Sequence, residues 1–272
     1  MKIEYAAFSD IGRVRRHNED ALLIRELEQG GHLLVVADGM GGHQAGEVAS
    51  RLAVEVFERQ YLNERAAGVD VGISMQAGVL AANRAILERA EREPDKGGMG
   101  TTFTAVVLWG MRLFLVHVGD SRCYLLRKNE MRQLSQDHTF VAKMLEQNRI
   151  SPDEAAHHPQ KNILYMALGT REPLHPQVLG PLPVCLDDRV LLCSDGLSTP
   201  VKESVLSGLM VRHSPSRAVR EMIRLANRAG GHDNITAILA RVLADGAFDD
   251  TMILLPAERT RSSFWRRWQG RH

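Results

Sequence analysis

Leu33 to Ala37 (LLVVA) is an unbroken apolar run that stops at Asp38 and gives way to Gly39, Met40, Gly41 and Gly42. A short apolar run bounded by glycine is the pattern of a strand buried on both faces. Such a strand holds the carboxylate at its end in a fixed place. A single Asp-Gly commonly does no more than end a strand in a turn, but here the arrangement recurs. Leu113 to Val118 (LFLVHV) runs into Gly119 and Asp120, and Val190 to Cys193 (VLLC) runs into Ser194, Asp195 and Gly196. Asp233 and Asn234 open the strand-like run ITAILARV. If these strands share a core, Asp38, Asp120, Asp195 and Asp233 meet at one rim. Carboxylates a few ångströms apart raise each other's pKa and do not all stay ionised without cations, so the pattern calls for divalent metal.

The rest of the chain fits an α+β protein. Ala45, Val48, Ala49, Leu52 and Val56 recur at helical spacing just after the glycines, and Met75, Val79, Ala82 and Ile86 mark a second helix over about Ile73 to Arg92. TTFTAVVLW, LFLVHVGDSR, CYLLR and MRQL read as four strand-like pieces of an antiparallel meander. Further helical spacing spans Asp137 to Asn148, Val201 to Met210 and Pro215 to Ala229. Strands in groups with helices inserted in pairs predict a four-layer α-β-β-α sandwich, two mainly antiparallel sheets face to face with helices outside. At 272 residues and 44% apolar, the chain fits one large domain. That domain is expected over 1–242, with 243–272 as a C-terminal tail.

Several other classes are set aside on composition and spacing. The net charge of +1 gives no global attraction to nucleic acid. Cys123, Cys185 and Cys193 are too few and too scattered for a disulfide framework or a zinc ribbon. KGGMGTT leads into strand residues rather than a helix, so it is not a phosphate-binding P-loop. His157 and His158 are adjacent and lack a third ligand nearby, which makes them poor metal ligands. No run approaches the ~18 apolar residues of a membrane span, and the N-terminus lacks a secretory signal. An intracellular, soluble protein is expected.

Hard oxygen ligands select Mg²⁺ or Mn²⁺ over zinc. Two such ions about 3.5–4 Å apart activate a bridging water and clamp the oxygens of an in-line displacement at phosphorus. Asp38 can bridge with its two oxygens, Gly39 can add a carbonyl, and Arg15 can hold two phosphate oxygens with its planar fork. Glu19 and Asp20 share with Arg15 a charged connection between strands, GRVRRHNED. Metal-assisted hydrolysis of a phosphate monoester is the reaction class that these residues suit.

The ordered set RRHNED (Arg15 to Asp20), VADGMGGHQAGEVAS (Val36 to Ser50), GMGTT, VGDSR, SQDH, HPQKNIL, LLCSDGL and GGHDNIT resembles the metal-dependent protein serine/threonine phosphatases of type 2C, in their bacterial form. The resemblance implies the α-β-β-α sandwich, a binuclear Mn²⁺ or Mg²⁺ centre and direct attack of water on phosphoserine or phosphothreonine. It implies metal-binding roles for Asp38, Asp195, Asp233 and the Gly39 carbonyl. Glu19 and Asp20 match an acidic pair that holds the waters of the metals, and Arg15 matches the phosphate clamp. Asp120 and Asp195 match the ligands of a third, weaker ion. Gln147 to Leu164 looks like the family's flap beside the site. Animal members place a histidine directly after the Asp-Gly, where this chain has Met40; His43 and a coordinated water are then the alternative proton donors.

The expected partners are phosphorylated proteins, a cognate serine/threonine kinase and its substrates, acted on by a monomer in the cytoplasm. Rival readings are a catalytically weak module that binds phosphoproteins and a small-molecule phosphatase. The tail combines FDDTMILLP with RSSFWRRWQGRH, which suits docking on an anionic surface or an acidic partner.

Overall fold

The computed structural model of the chain describes residues 1–41, 45–170 and 173–243, the side chains of residues 29 and 156 aside. The strands are β1 (Lys2–Asp10), β2 (Asp20–Leu27), β3 (Gly31–Met40), β4 (Gly100–Thr101), β5 (Phe103–Trp109), β6 (Arg112–Val118), β7 (Arg122–Arg127), β8 (Glu130–Gln133), β9 (Gln177–Pro183), β10 (Arg189–Cys193) and β11 (Ile235–Leu243). The helices are α1 (Ala45–Ala66), α2 (Val71–Arg92), α3 (Phe140–Glu146), α4 (Pro152–His157), α5 (Asp195–Ser198), α6 (Glu203–Arg212) and α7 (Pro215–Arg228). One sheet has the order β1-β11-β10-β7-β8; the other runs β2-β3-β5-β6-β9, with β4 paired to the end of β3. All pairings are antiparallel.

Alternation along each central strand builds the layers. In β3, Leu33, Val35 and Ala37 pack toward α1 and α2, whereas Leu34 and Val36 face the other sheet. In β11, Ile235, Ala237 and Leu239 pack with α6 and α7, and Ile238, Ala240 and Val242 point between the sheets. The middle of each of these strands is largely apolar on both sides because both faces are covered. Three buried clusters result, one between the sheets and one under each helical layer. The four-layer sandwich expected from the sequence is the fold observed.

Helix boundaries have local causes. The Asp70 side chain accepts hydrogen bonds from the Gly72 and Ile73 backbone amides, which starts α2 two residues before the apolar spacing suggested. Thr139 caps α3, and Ser151 with Glu154 forms a capping box at α4. His157 and His158 make local hydrogen bonds to Asp153 O and Gln160 N. Cys123 and Cys193 are buried free thiols, while the Cys185 thiol is exposed.

The four-strand meander is corrected to two hairpins in different sheets. β5 pairs with β6 in one sheet and β7 with β8 in the other. Between them the chain crosses from sheet to sheet at Gly119, Asp120 and Ser121. Gly119 has φ +103, and a Cβ there would lie 2.7 Å from the Thr102 side chain, so the crossing needs glycine. β11 ends at Leu243, the first residue assigned to the tail; the rest of the tail, 244–272, lies outside the described residues. No helix among the described residues is long and apolar enough to cross a membrane.

Candidate active site

Strand parity delivers carboxylates to the gap between the sheets. Leu34, Val36 and Asp38 alternate onto the inter-sheet face of β3, and Asp20, Leu22 and Ile24 do so on β2. Where the apolar residues run out, Asp20 stands directly opposite Asp38 in the ladder. Asp195, two residues past β10, and Asp233, two residues before β11, reach the same rim from the second sheet. Asp120 arrives on the crossover after β6. Two like charges facing each other across a ladder repel, and here further carboxylates join them.

The electrostatics record the crowding. Burial, followed by Asp20, Asp195, Asp120 and Asp233, pushes Asp38 well above the ordinary carboxylate range. Burial and the nearby Asp195 and Asp137 push Asp120 up to about 8. Asp20 is pushed up to about 7, chiefly by burial, against the easing effect of the Thr236 and Ser194 hydroxyls. Asp195 is raised by burial and by Asp233. Glu19 is raised by burial, although Arg15 lies nearby.

Among the described residues, little neutralises this cluster. Arg15, on the loop between β1 and β2, donates from Nη2 to Asp233 Oδ2 at 2.8 Å. Asp233, Glu19 and Asp38 hold its pKa above the ordinary value although partial burial opposes its charge. Arg122 is committed to Asp137, with Nη2 to Oδ2 at 2.7 Å and Nε to both carboxylate oxygens. Burial drives His117 down to about 3 and His138 to about 4, so both imidazoles are neutral at pH 7. His138 Nδ1 accepts from Gly119 N at 3.0 Å and His117 Nε2 donates to Gln136 O at 3.1 Å. Asp38, Asp20, Asp120 and Asp195 thus lack ion-pair partners among the described residues.

The donor set fits hard divalent cations. It is all oxygen. Asp20 Oδ1 is buried with no hydrogen-bond partner, although Oδ2 accepts from Ser194 Oγ at 2.9 Å. Among the described residues no three acidic, histidine or cysteine side chains close around one point. Ions held here would draw much of their coordination from water, as Mg²⁺ and similar cations do. Asp38, Asp195, Asp233 and Asp120 could hold such ions, with Asp20 and Glu19 beside them.

Backbone packing fixes the rim. A Cβ on Gly39 would lie 2.1 Å from Gly46 O and 2.5 Å from Glu19 O, so β3, α1 and the Glu19 loop meet where only glycine fits. Ser50 Oγ donates to Glu19 O at 2.6 Å. Behind Asp38, its amide donates to Thr102 Oγ1 at 2.9 Å, Thr101 Oγ1 donates to its carbonyl, and Thr102 Oγ1 meets Ser121 Oγ at 2.7 Å. The sequence reading missed Asn234 as a staple. Its Oδ1 accepts from Glu19 N at 2.8 Å, and its Nδ2 donates to Ile11 O and His17 O, tying down the loop that carries Arg15. Ser194, Thr102 and Asn234 all lie inside the motifs, but only their partners across the fold reveal what they do. His43 lies outside the described residues.

These shifts predict how stability depends on pH. Asp20 and Asp120 rise from 3.8 in the unfolded reference, so the folded chain binds protons there that the unfolded chain has lost. Their contribution is fully present below about pH 4 and is lost as pH rises through 7 to 8. In chelator, the melting temperature is expected to fall between pH 6 and 8.5, and millimolar Mn²⁺ to reverse most of the loss. A flat thermal-shift profile in chelator would show that the carboxylates do not crowd.

The α-β-β-α sandwich with its carboxylate rim is shared with known proteins. The sequence profile of the family described as Protein phosphatase 2C matches residues 13–244, and the chain belongs to this family. Serine/threonine protein phosphatase PstP of Mycobacterium tuberculosis is 45% identical over 244 residues, covering 89% of this chain and 46% of that protein. The chain thus spans about half the length of that curated relative. Serine/threonine phosphatase stp of Listeria welshimeri is 38% identical over 234 residues, 85% of this chain and 92% of its own. A crystal structure of the PstP catalytic domain in complex with two manganese ions superposes with TM-score 0.78 at 41% identity, covering 89% of this chain and 99% of that one.

Proposed function

We propose that this chain is a metal-dependent protein serine/threonine phosphatase that hydrolyses phosphoserine and phosphothreonine by direct attack of water. The observation that carries the reading is the convergence of Asp20, Asp38, Asp120, Asp195 and Asp233 at one rim with Arg15 at its edge. Membership of the family and the names of its relatives support it. When bound, a pair of Mn²⁺ or Mg²⁺ ions lowers the pKa of the attacking water and offsets charge on the phosphoryl oxygens. The ligands we assign are Asp38, Gly39, Asp195 and Asp233, with Glu19 and Asp20 holding waters around them. Arg15 orients the substrate: one guanidinium nitrogen is engaged by Asp233, which leaves other N–H donors of the fork for phosphate oxygens. Met40 has no proton to give the leaving oxygen, so that proton comes from water or from His43.

Asp120 and Asp195 are proposed to hold a third, weaker ion. Asp120 sits on the crossover rather than on β3, and Asp195 is among the groups that raise its pKa. Asp120→Ala is expected to slow turnover while the two tight ions bind nearly as before. Calorimetric titration with Mn²⁺ checks this, and loss of both tight ions would refute the assignment.

The reading extends to a catalytic domain over 1–242 and a tail over 243–272 that docks on an anionic surface or a partner. It extends also to a cytoplasmic monomer that signals opposite a serine/threonine kinase. The experiment that tests the function is hydrolysis of a phosphothreonine peptide and of para-nitrophenyl phosphate with Mn²⁺, before and after EDTA. Chelator-sensitive turnover of both is expected. Binding of the peptide without turnover would favour the phosphoprotein-binding module, and a preference for sugar phosphates would favour the small-molecule phosphatase.

A further inference from the structure

Away from the carboxylate rim, the exposed side of α7 carries Arg220, Arg224 and Arg228 at four-residue intervals, one stripe along the helix. The opposite side, Ala218, Val219, Met222, Ile223 and Ala226, is buried against the sheet. Like charges four apart cost an isolated helix a few tenths of a kcal/mol per pair, and the fold offsets this only in part. Arg224 is paired with Glu221 at 2.6 Å. Arg220 reaches only the Ser216 hydroxyl, at 3.3 Å, and neither it nor Arg228 has an ion-pair partner among the described residues.

The stripe forms one wall of a cleft of about 480 Å³, whose other wall is Phe8 and Asp10 of the edge strand β1, with Arg13 at one end. Phe8 is 46% exposed, so the cleft offers an apolar ring beside the guanidinium groups. Asp10, the one carboxylate in its lining among the described residues, already accepts from Gly12 N and Asn227 Nδ2. Arg13 lacks an ion-pair partner among the described residues, and its amide donates to Gly231 O at 2.7 Å. That contact fixes the cleft to the two segments that also hold Arg15 and Asp233. Two peptide units separate Arg13 from Arg15, so their Cα atoms lie within about 8 Å.

We propose that this cleft binds carboxylate-bearing residues that flank the phosphorylated residue of a protein substrate, which makes it a specificity determinant of the phosphatase reading above, on which it rests. An extended peptide advances about 3.3 Å per residue. With the phosphoryl group at Arg15, acidic residues about two to five positions away fall among Arg13, Arg220 and Arg228, and the intervening backbone and apolar atoms cross Phe8. The excess of guanidinium over carboxylate in the cleft selects for acidic flanks, and a small phosphate ester is too short to reach it.

The test compares two phosphothreonine peptides of equal length, one flanked by Asp and Glu and one by Asn and Gln, with wild type and the double variant Arg220→Gln/Arg228→Gln in Mn²⁺ at low salt. Wild type is expected to favour the acidic peptide at least about fivefold in kcat/KM, mainly through KM, with the preference shrinking in salt. The variant should lose that preference and keep its rate on the neutral peptide and on para-nitrophenyl phosphate. Turnover by wild type without an acidic preference, or equal loss by the variant on all three substrates, overturns the cleft assignment alone. Absence of metal-dependent turnover of either peptide by wild type overturns the phosphatase reading itself.

Discussion

Asp38→Ala is expected to leave less than about a hundredth of wild-type turnover, the scale of losing metal-ion catalysis. Asp38 closes the inter-sheet face of β3, and four other aspartates raise its pKa, which places it at the centre of the acidic rim. Its removal takes away two oxygens that no neighbour replaces, because Thr102 and Thr101 hold only its backbone. The fold should survive: the substitution relieves crowded charge, so the variant in chelator should melt no lower than wild type at pH 8. Steady-state kinetics together with a thermal shift separate these outcomes. A folded variant with a tenth or more of wild-type activity would move the reaction away from Asp38.

The second large effect is expected at Arg15. Hydrogen bonds to a charged partner contribute about 1.5–3 kcal/mol each, so Arg15→Ala should lower kcat/KM on a phosphothreonine peptide by about a hundredfold. Arg15→Lys should recover only a small part, since an ammonium lacks the planar fork. The side chain is half exposed, with Asp233 as its one ion-pair partner among the described residues, so stability should change little. Substitution also frees the Asp233 carboxylate, and Mn²⁺ should then bind at least as tightly as in wild type. A variant whose KM and kcat are both unchanged would show that Arg15 serves only to position Asp233.

How much of this was legible in the sequence depends on where each signal lives. The run Leu33 to Ala37 announced a doubly covered strand because both of its faces are in fact buried. The parity that points Leu34 and Val36 between the sheets also delivers Asp38 there, so the rim could be anticipated from strand ends alone. Helix α1 was legible for the same reason, with Ala45, Ala49, Ala53, Val56 and Phe57 forming its buried stripe. The division of strands between sheets was not, because a tight crossover at Gly119 and a hairpin turn at Gly110 look alike in sequence. Nor were the supports of the site. Asn234 acts on backbone groups more than two hundred residues away, and Ser194 acts on Asp20, 174 residues distant. Short polar side chains next to strand ends carry no periodicity, so only the folded chain shows which groups they hold.

The central claim is that the carboxylate rim between the two sheets is a divalent-metal centre. Crystals grown in chelator and then soaked in Mn²⁺, with data collected at a wavelength where manganese scatters anomalously, test it directly. Two strong anomalous peaks are expected at the rim, within coordination distance of Asp38 and flanked by Asp195 and Asp233. A rim without anomalous density at saturating Mn²⁺, or manganese bound only elsewhere on the chain, would contradict the account.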